Sequence, residues 1–243
     1  MRINIGGILT KRAFMTPDRE ALVCESIRRT YGQLNDRANR LVNTMKGLGV
    51  KHGDRVGILA LNEPEYFDMY FGLGKIGAIL VPINHRLAGP EIEYILSDCE
   101  AKVLVFGKEF AEVVGSIRND IPARDLIAIS DDPPEWAKSY GSVINEASGE
   151  EPEQEGGDDD TLTILYTSGT TGRPKGVMCS HFNFESLLRY EQVIWSMGPS
   201  DHTMVALPLF HAKGLIIPCL LATYVGCPQT LLRRWDTRLV LEL

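Results

Sequence analysis

Apolar residues fall into two patterns that alternate along the chain, short continuous runs and stripes at helical spacing. Ala21 to Cys24 and Ile27 to Thr30 read as two short strands about a turn. Leu34, Ala38, Leu41, Val42 and Met45 recur three or four residues apart, which puts them on one face of a helix from Tyr31 to about Leu48. Thr30 supplies an N-cap hydroxyl for that helix and Gly49 a stop. A buried strand follows at Val56 to Leu61, then a helix after Pro64 through Gly77 and a strand at Ile79 to Pro82. Pro90 to Ser97 reads as helix, Lys102 to Phe106 as strand, Glu109 to Ile117 as helix and Leu126 to Ile129 as strand. Strands separated by single helices imply an α/β fold, with mainly parallel sheets flanked by helices.

The rhythm breaks between Asp131 and Asp160, where Pro133, Pro134, Pro152, Gly156 and Gly157 interrupt any periodic pattern. The expected organisation is an N-terminal α/β subdomain over 1–130, an acidic connector over 131–160 with a short helix near Ser142 to Ala147, and the start of a second α/β subdomain over 161–243. Glu150, Glu151, Glu153, Glu155, Asp158, Asp159 and Asp160 equal the whole net charge of -7, so the rest of the chain is balanced. The connector is therefore expected to be solvated, and no basic face recommends nucleic acid as a partner. No apolar run reaches the length of a bilayer crossing, since the stretch from Leu215 to Leu221 is short and holds Pro218. No basic-then-apolar leader follows Met1, so a cytoplasmic location is expected. The five cysteines are scattered without a CxxC pair, which argues for reduced thiols and against structural zinc.

Leu162 to Tyr166 resumes as a strand and runs into YTSGTTGRPKGV, residues 166 to 177. Accessible backbone donors, several hydroxyls and one cation suit an oxyanion with many oxygens, and a phosphate chain is the commonest. A Walker loop requires G-x-x-x-x-G-K-[ST], but Lys175 stands between Pro174 and Gly176. Gly176, Val177 and Met178 also read as a strand rather than a helix. The loop is thus expected to join two strands of a hairpin, with no helix dipole behind it.

YTSGTTGRPKGV resembles the signature of the adenylate-forming, or AMP-binding, superfamily. LNEPEYFDMYFGLGKIGAILVPIN, at 61 to 84, and LPLFHAKGL, at 207 to 215, are similar to two further family stretches and occur in the family's order. The resemblance covers essentially the whole chain and implies the N-terminal part of the large domain of such an enzyme, most like an acyl-CoA synthetase. It implies that a carboxylate attacks the α-phosphorus of ATP, releasing pyrophosphate and leaving an acyl adenylate that is passed to coenzyme A. It also implies that Thr167, Ser168, Gly169, Thr170, Thr171, Gly172 and Lys175 surround the phosphates, with Lys175 catalytic and Thr167 near Mg2+. Expected partners are a small-molecule carboxylic acid, ATP and coenzyme A, with a homodimer left open.

By the same resemblance His211, in FHAKG, lines the nucleotide and acyl site, with Phe210 and Gly214 either shaping the acyl tunnel or packing. Amino-acid-activating relatives carry an Asp where His211 stands, and no acid lies between Met204 and Tyr224. An acid without an α-amine is therefore expected, and Leu209, Leu215, Ile216 and Ile217 incline the reading towards a fatty acid over an aryl acid. His52, His85, His181 and His202 have no motif around them and are expected to be surface or structural. The family's magnesium-binding Glu, ribose-binding Asp and C-terminal-domain Lys find no counterpart, and the apolar face begun after Asp236 has no stop signal. The expectation is the N-terminal part of a longer ligase, inactive alone. The alternatives are a non-catalytic nucleotide-binding scaffold and an unrelated phosphate-transfer enzyme.

Overall fold

The computed structural model describes residues 4–167 and 172–242. Its first half runs α1 (Ile5–Met15), β1 (Glu20–Cys24), β2 (Ile27–Thr30), α2 (Tyr31–Gly47), β3 (Arg55–Leu59), α3 (Glu65–Lys75), β4 (Ile79–Pro82), α4 (Gly89–Asp98), β5 (Val103–Gly107), α5 (Ala111–Ile117) and β6 (Asp125–Ile129). The second runs β7 (Lys138–Ser139), α6 (Tyr140–Glu146), β8 (Thr161–Thr167), β9 (Lys175–Ser180), α7 (His181–Trp195), β10 (Thr203–Val205), α8 (Ala212–Leu215), α9 (Ala222–Val225), β11 (Gln229–Leu231) and α10 (Thr237–Glu242). A π-helical stretch, Ile216–Leu221, joins α8 to α9.

The larger sheet has the order β7-β6-β5-β3-β4-β8-β9 and is parallel except for β9, which returns antiparallel to β8. The smaller has the order β10-β11-β1-β2, in which β1 and β2 pair antiparallel and the others parallel. One face of the large sheet buries Leu59, Val81, Leu104 and Phe106 against Ile92, Ile95 and Leu96 of α4. Its other face packs on α3, which packs in turn on α1 and α2, and α2 lies on β1 and β2. Every residue of α3 is buried, as expected for a helix enclosed on all sides.

Local sequence explains the helix ends. Thr30 Oγ1 accepts from the Gln33 N–H at 3.3 Å and Gln33 Oε1 accepts from the Thr30 N–H at 2.9 Å, a reciprocal cap for α2. Gly49 takes φ 81° just past the helix. The helix α1 was not expected, because two glycines weaken its first turn. Gly6 is there for contact, since a Cβ would lie 2.5 Å from the Phe71 carbonyl oxygen of α3.

The strands do not divide at 131–160. β8 joins β4 through Leu80 beside Thr163, and β11 joins β1 through Leu22 beside Gln229. Nor is the acidic segment wholly solvated. Lys75 Nζ, completely buried, donates to Glu151 Oε1 at 2.8 Å, Asn35 Oδ1 at 2.7 Å and Asn39 Oδ1 at 2.5 Å. Glu151 also accepts from Thr10 Oγ1 at 2.7 Å and from the Asn35 and Asn39 amides. Burial pushes the Glu151 carboxyl up, but hydrogen bonds from Lys75, Thr10 and Asn35 outweigh it and hold the group below its usual range. An ammonium with all three donors satisfied has drawn one acid of the run into the protein.

Candidate functional site

The strands on either side of the glycine- and hydroxyl-rich stretch, β8 and β9, pair antiparallel as a hairpin requires. β8 is anchored at its base by buried Thr163, whose Oγ1 donates to the Leu80 carbonyl at 2.7 Å. Farther out, Tyr166 lies opposite Gly176 and Thr167 opposite Lys175. A Cβ at Gly176 would meet Ile164 at 2.7 Å and the Tyr166 ring at 3.1 Å, so only glycine lets the ring lie across the strand pair. Thr167, Gly172 and Lys175 are exposed, and Gly172 has φ 128°. Lys175 has no ion-pair partner among the described residues, which leaves its ammonium available to an incoming anion. Ser168, Gly169, Thr170 and Thr171 lie outside the described residues. The chain leaves the loop as a strand, and the next helix begins only at His181, capped by Ser180 Oγ. Its N-terminus is therefore six strand residues away from the loop.

The LPLFHAKGL stretch is held by Asn62, from the second family-like stretch. The Asn62 amide donates to the Leu207 carbonyl at 3.1 Å and the Leu232 carbonyl at 3.0 Å, and Oδ1 accepts from the Leu209 N–H at 2.9 Å. All three quoted stretches thus meet: 61–84 supplies β4 to the loop strand and Asn62 to the His211 segment. His211 is exposed, and its ring lies 4.4 Å from that of Phe210. Phe210 also meets His85 edge-on at 5.1 Å, so it stands between two imidazoles.

Leu209 and Leu215 are completely buried in the main core. Gly214 is a packing residue, since a Cβ there would lie 2.3 Å from the Pro208 carbonyl oxygen. The open space nearby is a cavity of about 680 Å³ bordered by Asn62, His85, Arg86, Leu207, Arg234 and Trp235, among others. Burial first, and then the Arg86 charge, lower the His85 pKa, so the ring is held neutral. Its Nδ1 is buried without a partner among the described residues. Arg233 is neutralised by Glu63 and, at 2.8 Å, by Glu109, whereas Arg86 and Arg234 have no ion pair among the described residues. His85, expected to be surface or structural, packs on Phe210 and borders this cavity. Its only local signal, the NHR sequence at 84–86, does not reveal that Phe210 packs against it.

The other histidines behave as expected. His52 Nε2 lies 3.1 Å from Asp160 and His202 Nε2 lies 2.8 Å from Thr230 Oγ1, while His181 is fully buried. Lys213 is exposed. No helix among the described residues is long and apolar enough to cross a membrane.

The profile of the family described as "AMP-binding enzyme" matches residues 9–243. The long-chain-fatty-acid–CoA ligase FadD13 of Mycobacterium tuberculosis is 39% identical over 216 residues, which are 87% of this chain and 42% of that protein. A feruloyl-CoA synthase of Amycolatopsis sp is 34% identical over 98% of this chain and 46% of its own. Among solved structures, the anthranilate CoA ligase AuaEII with anthranoyl-AMP superposes with a TM-score of 0.94 at 30% identity, covering 100% of this chain and 47% of that one. The inhibitor-bound N-terminal domain of FACL13 from Mycobacterium tuberculosis gives 0.87 at 35% identity, over 100% and 60% respectively. The chain therefore spans less than half the length of these curated relatives. With the family profile matching residues 9–243 and relatives 39% and 34% identical over most of the chain, the chain belongs to the AMP-binding enzyme family.

Proposed function

We propose that this chain supplies the phosphate-binding side of an ATP-dependent acid–CoA ligase, which activates a carboxylic acid as its acyl adenylate and transfers the acyl group to coenzyme A. The observation that carries this reading is the hairpin, which presents Lys175, without an ion pair among the described residues, opposite Thr167 at the mouth of a glycine- and hydroxyl-rich loop. Fixed donors around a phosphate chain stabilise the charge that develops as pyrophosphate leaves, and they do so without reorganising. Lys175 neutralises phosphate oxygens, and the backbone amides and hydroxyls of 167–172 orient them.

Mg2+ fits here only as a guest of the nucleotide. It requires near-octahedral oxygen donors, and the described residues contain no group of three His, Cys, Asp or Glu able to hold a metal. Thr167 would lend one oxygen, and bound Mg2+ would supply charge neutralisation between phosphates.

The substrate is a carboxylic acid without an α-amine, because no acid stands between Met204 and Tyr224 to pair with an ammonium. A fatty acid is the preferred reading, supported by the FadD13 similarity at 39% identity. An aryl acid is the second, favoured by the feruloyl-CoA synthase and anthranilate CoA ligase similarities. The test is pyrophosphate release by the ligase carrying both halves, over a panel of fatty, aryl and amino acids, with Lys175→Ala as control. A fall of at least about tenfold in Lys175→Ala with an unchanged melting temperature supports the reading. An unchanged rate in that variant refutes it.

A further inference from the structure

Both arms of the loop hairpin are fastened to one short stretch of α4. On the outgoing arm, the Tyr166 hydroxyl donates to Asp98 Oδ2 at 2.5 Å. On the returning arm, the Arg173 guanidinium stands 5.2 Å from the centroid of the Tyr94 ring. Tyr94 and Asp98 are one helical turn apart and are themselves joined, the Tyr94 hydroxyl donating to Asp98 Oδ1 at 3.4 Å. The result is a closed circuit, Tyr166 to Asp98 to Tyr94 to Arg173, that spans the mouth of the loop.

Besides this circuit, Ile164 and Tyr166 of the outgoing arm pack at the border of the α4 core. The pairing of β8 with β4 is recorded at Leu80 and Thr163, three residues before Tyr166. β9 is the edge strand of the large sheet, and its residues from Lys175 to Met178 are exposed. A two-stranded ribbon supported mainly on one arm can still twist and swing towards its tip. A charge-assisted hydrogen bond on one arm and a cation–π contact on the other oppose that swing.

We propose that Tyr94 and Asp98 are positioning residues for the phosphate-binding loop, fixing where Thr167 and Lys175 stand before nucleotide arrives. The proposal rests on the ligase reading above. Neither residue touches the nucleotide. They act through Tyr166 and Arg173, and pre-organisation of the loop is what they contribute.

The test combines two measurements. Hydrogen exchange on the 243-residue chain should show faster exchange of the 166–177 amides in Asp98→Ala and Tyr94→Leu, with α3 and the large sheet unaffected. In the ligase carrying both halves, the same variants should raise KM for ATP about tenfold, with KM for the carboxylic acid unchanged. Tyr94→Phe keeps the ring beneath Arg173 and should stay within about twofold of wild type, and Asp98→Asn, which keeps an acceptor for Tyr166, should fall between. These two mild variants also cover the case in which Tyr94→Leu fails to fold, because Tyr94 packs beside the α4 core. Faster loop exchange with an unchanged KM for ATP overturns the proposal and leaves the ligase reading intact, provided Lys175→Ala is impaired. Unchanged exchange in Asp98→Ala overturns it directly. If Lys175→Ala is itself unimpaired, the ligase reading fails and the proposal with it.

Discussion

Lys75 Nζ lies 2.8 Å from Glu151 Oε1, tying the end of the enclosed helix α3 to the acidic segment that leads into β8. Glu151→Ala would leave a buried ammonium with only two amide oxygens. The expected loss is about 1–3 kcal/mol, below the range for a fully buried pair because the Glu151 side chain is 37% exposed and partly screened. The double variant Lys75→Met/Glu151→Gln should be more stable than Glu151→Ala, since it removes the stranded charge. Urea denaturation measures both, and a Glu151→Ala midpoint equal to wild type would show that the pair does not hold the segment.

His181 couples stability to pH. Its Nδ1 accepts from the Ile5 N–H at 3.0 Å, which assigns the ring proton of the neutral form to Nε2. Burial lowers its pKa from 6.5 to about 4, against the opposing charges of Asp160 and Asp158. A depressed folded pKa means the unfolded chain binds the proton first, so the stabilisation is complete above pH 6.5 and is lost as pH falls towards 4. The loss approaches about 3 kcal/mol. Asn at this position keeps an acceptor without titrating, so His181→Asn should flatten the stability profile between these limits. A parallel profile for variant and wild type would exclude His181 as the sensor.

Asn62→Ala removes three hydrogen bonds at a site only 6% exposed and strands the buried Leu209 N–H and Leu232 carbonyl. A loss of about 2–4 kcal/mol is expected from unsatisfied buried groups. Thermal denaturation checks it, and faster proteolysis near 207–211 should accompany it. A variant as stable as wild type would mean that the segment is held by packing alone.

Sequence pattern was most informative where the determinants are close together. Thr30 and Gln33 are neighbours that cap α2, and its apolar stripe is written in one stretch, so both ends and the buried face of that helix were legible. The parallel strands and the hairpin at YTSGTTGRPKGV were legible for the same reason. Helix α1 was not, because Gly6 answers to a carbonyl of α3 rather than to its own helix. The partnership of Lys75 with Glu151 and the placing of His85 against Phe210 were also hidden, since each joins residues that only the folded chain brings together. Thr167, Gly172, Lys175 and His211 enter the candidate site only through the family resemblance. Asn62, which arranges part of it, lay unremarked inside a quoted stretch.

His211 is exposed, and its side chain makes no hydrogen bond among the described residues, so His211→Asp should change stability by no more than about 0.5 kcal/mol. A carboxylate there would repel nucleotide phosphates and the substrate carboxylate, and activation of fatty acids should fall in the ligase carrying both halves. Separate titrations of ATP and acid locate the effect. Unaltered affinity for both would place His211 outside the site.

Because β1 lies between β2 and β11, with Leu22 beside Gln229 and Val23 beside Thr230, an early strand has its partner far along the sequence. During synthesis the β1–β2 hairpin emerges first and must wait, since two strands alone are only marginally stable. The small sheet closes over α2 only once β11 has left the ribosome. Pairing over so long a separation slows folding and prolongs the exposure of Leu22 and of the α2 stripe. Nascent chains of this protein should thus present a binding site for chaperones around β1 and α2, which disappears when β11 docks.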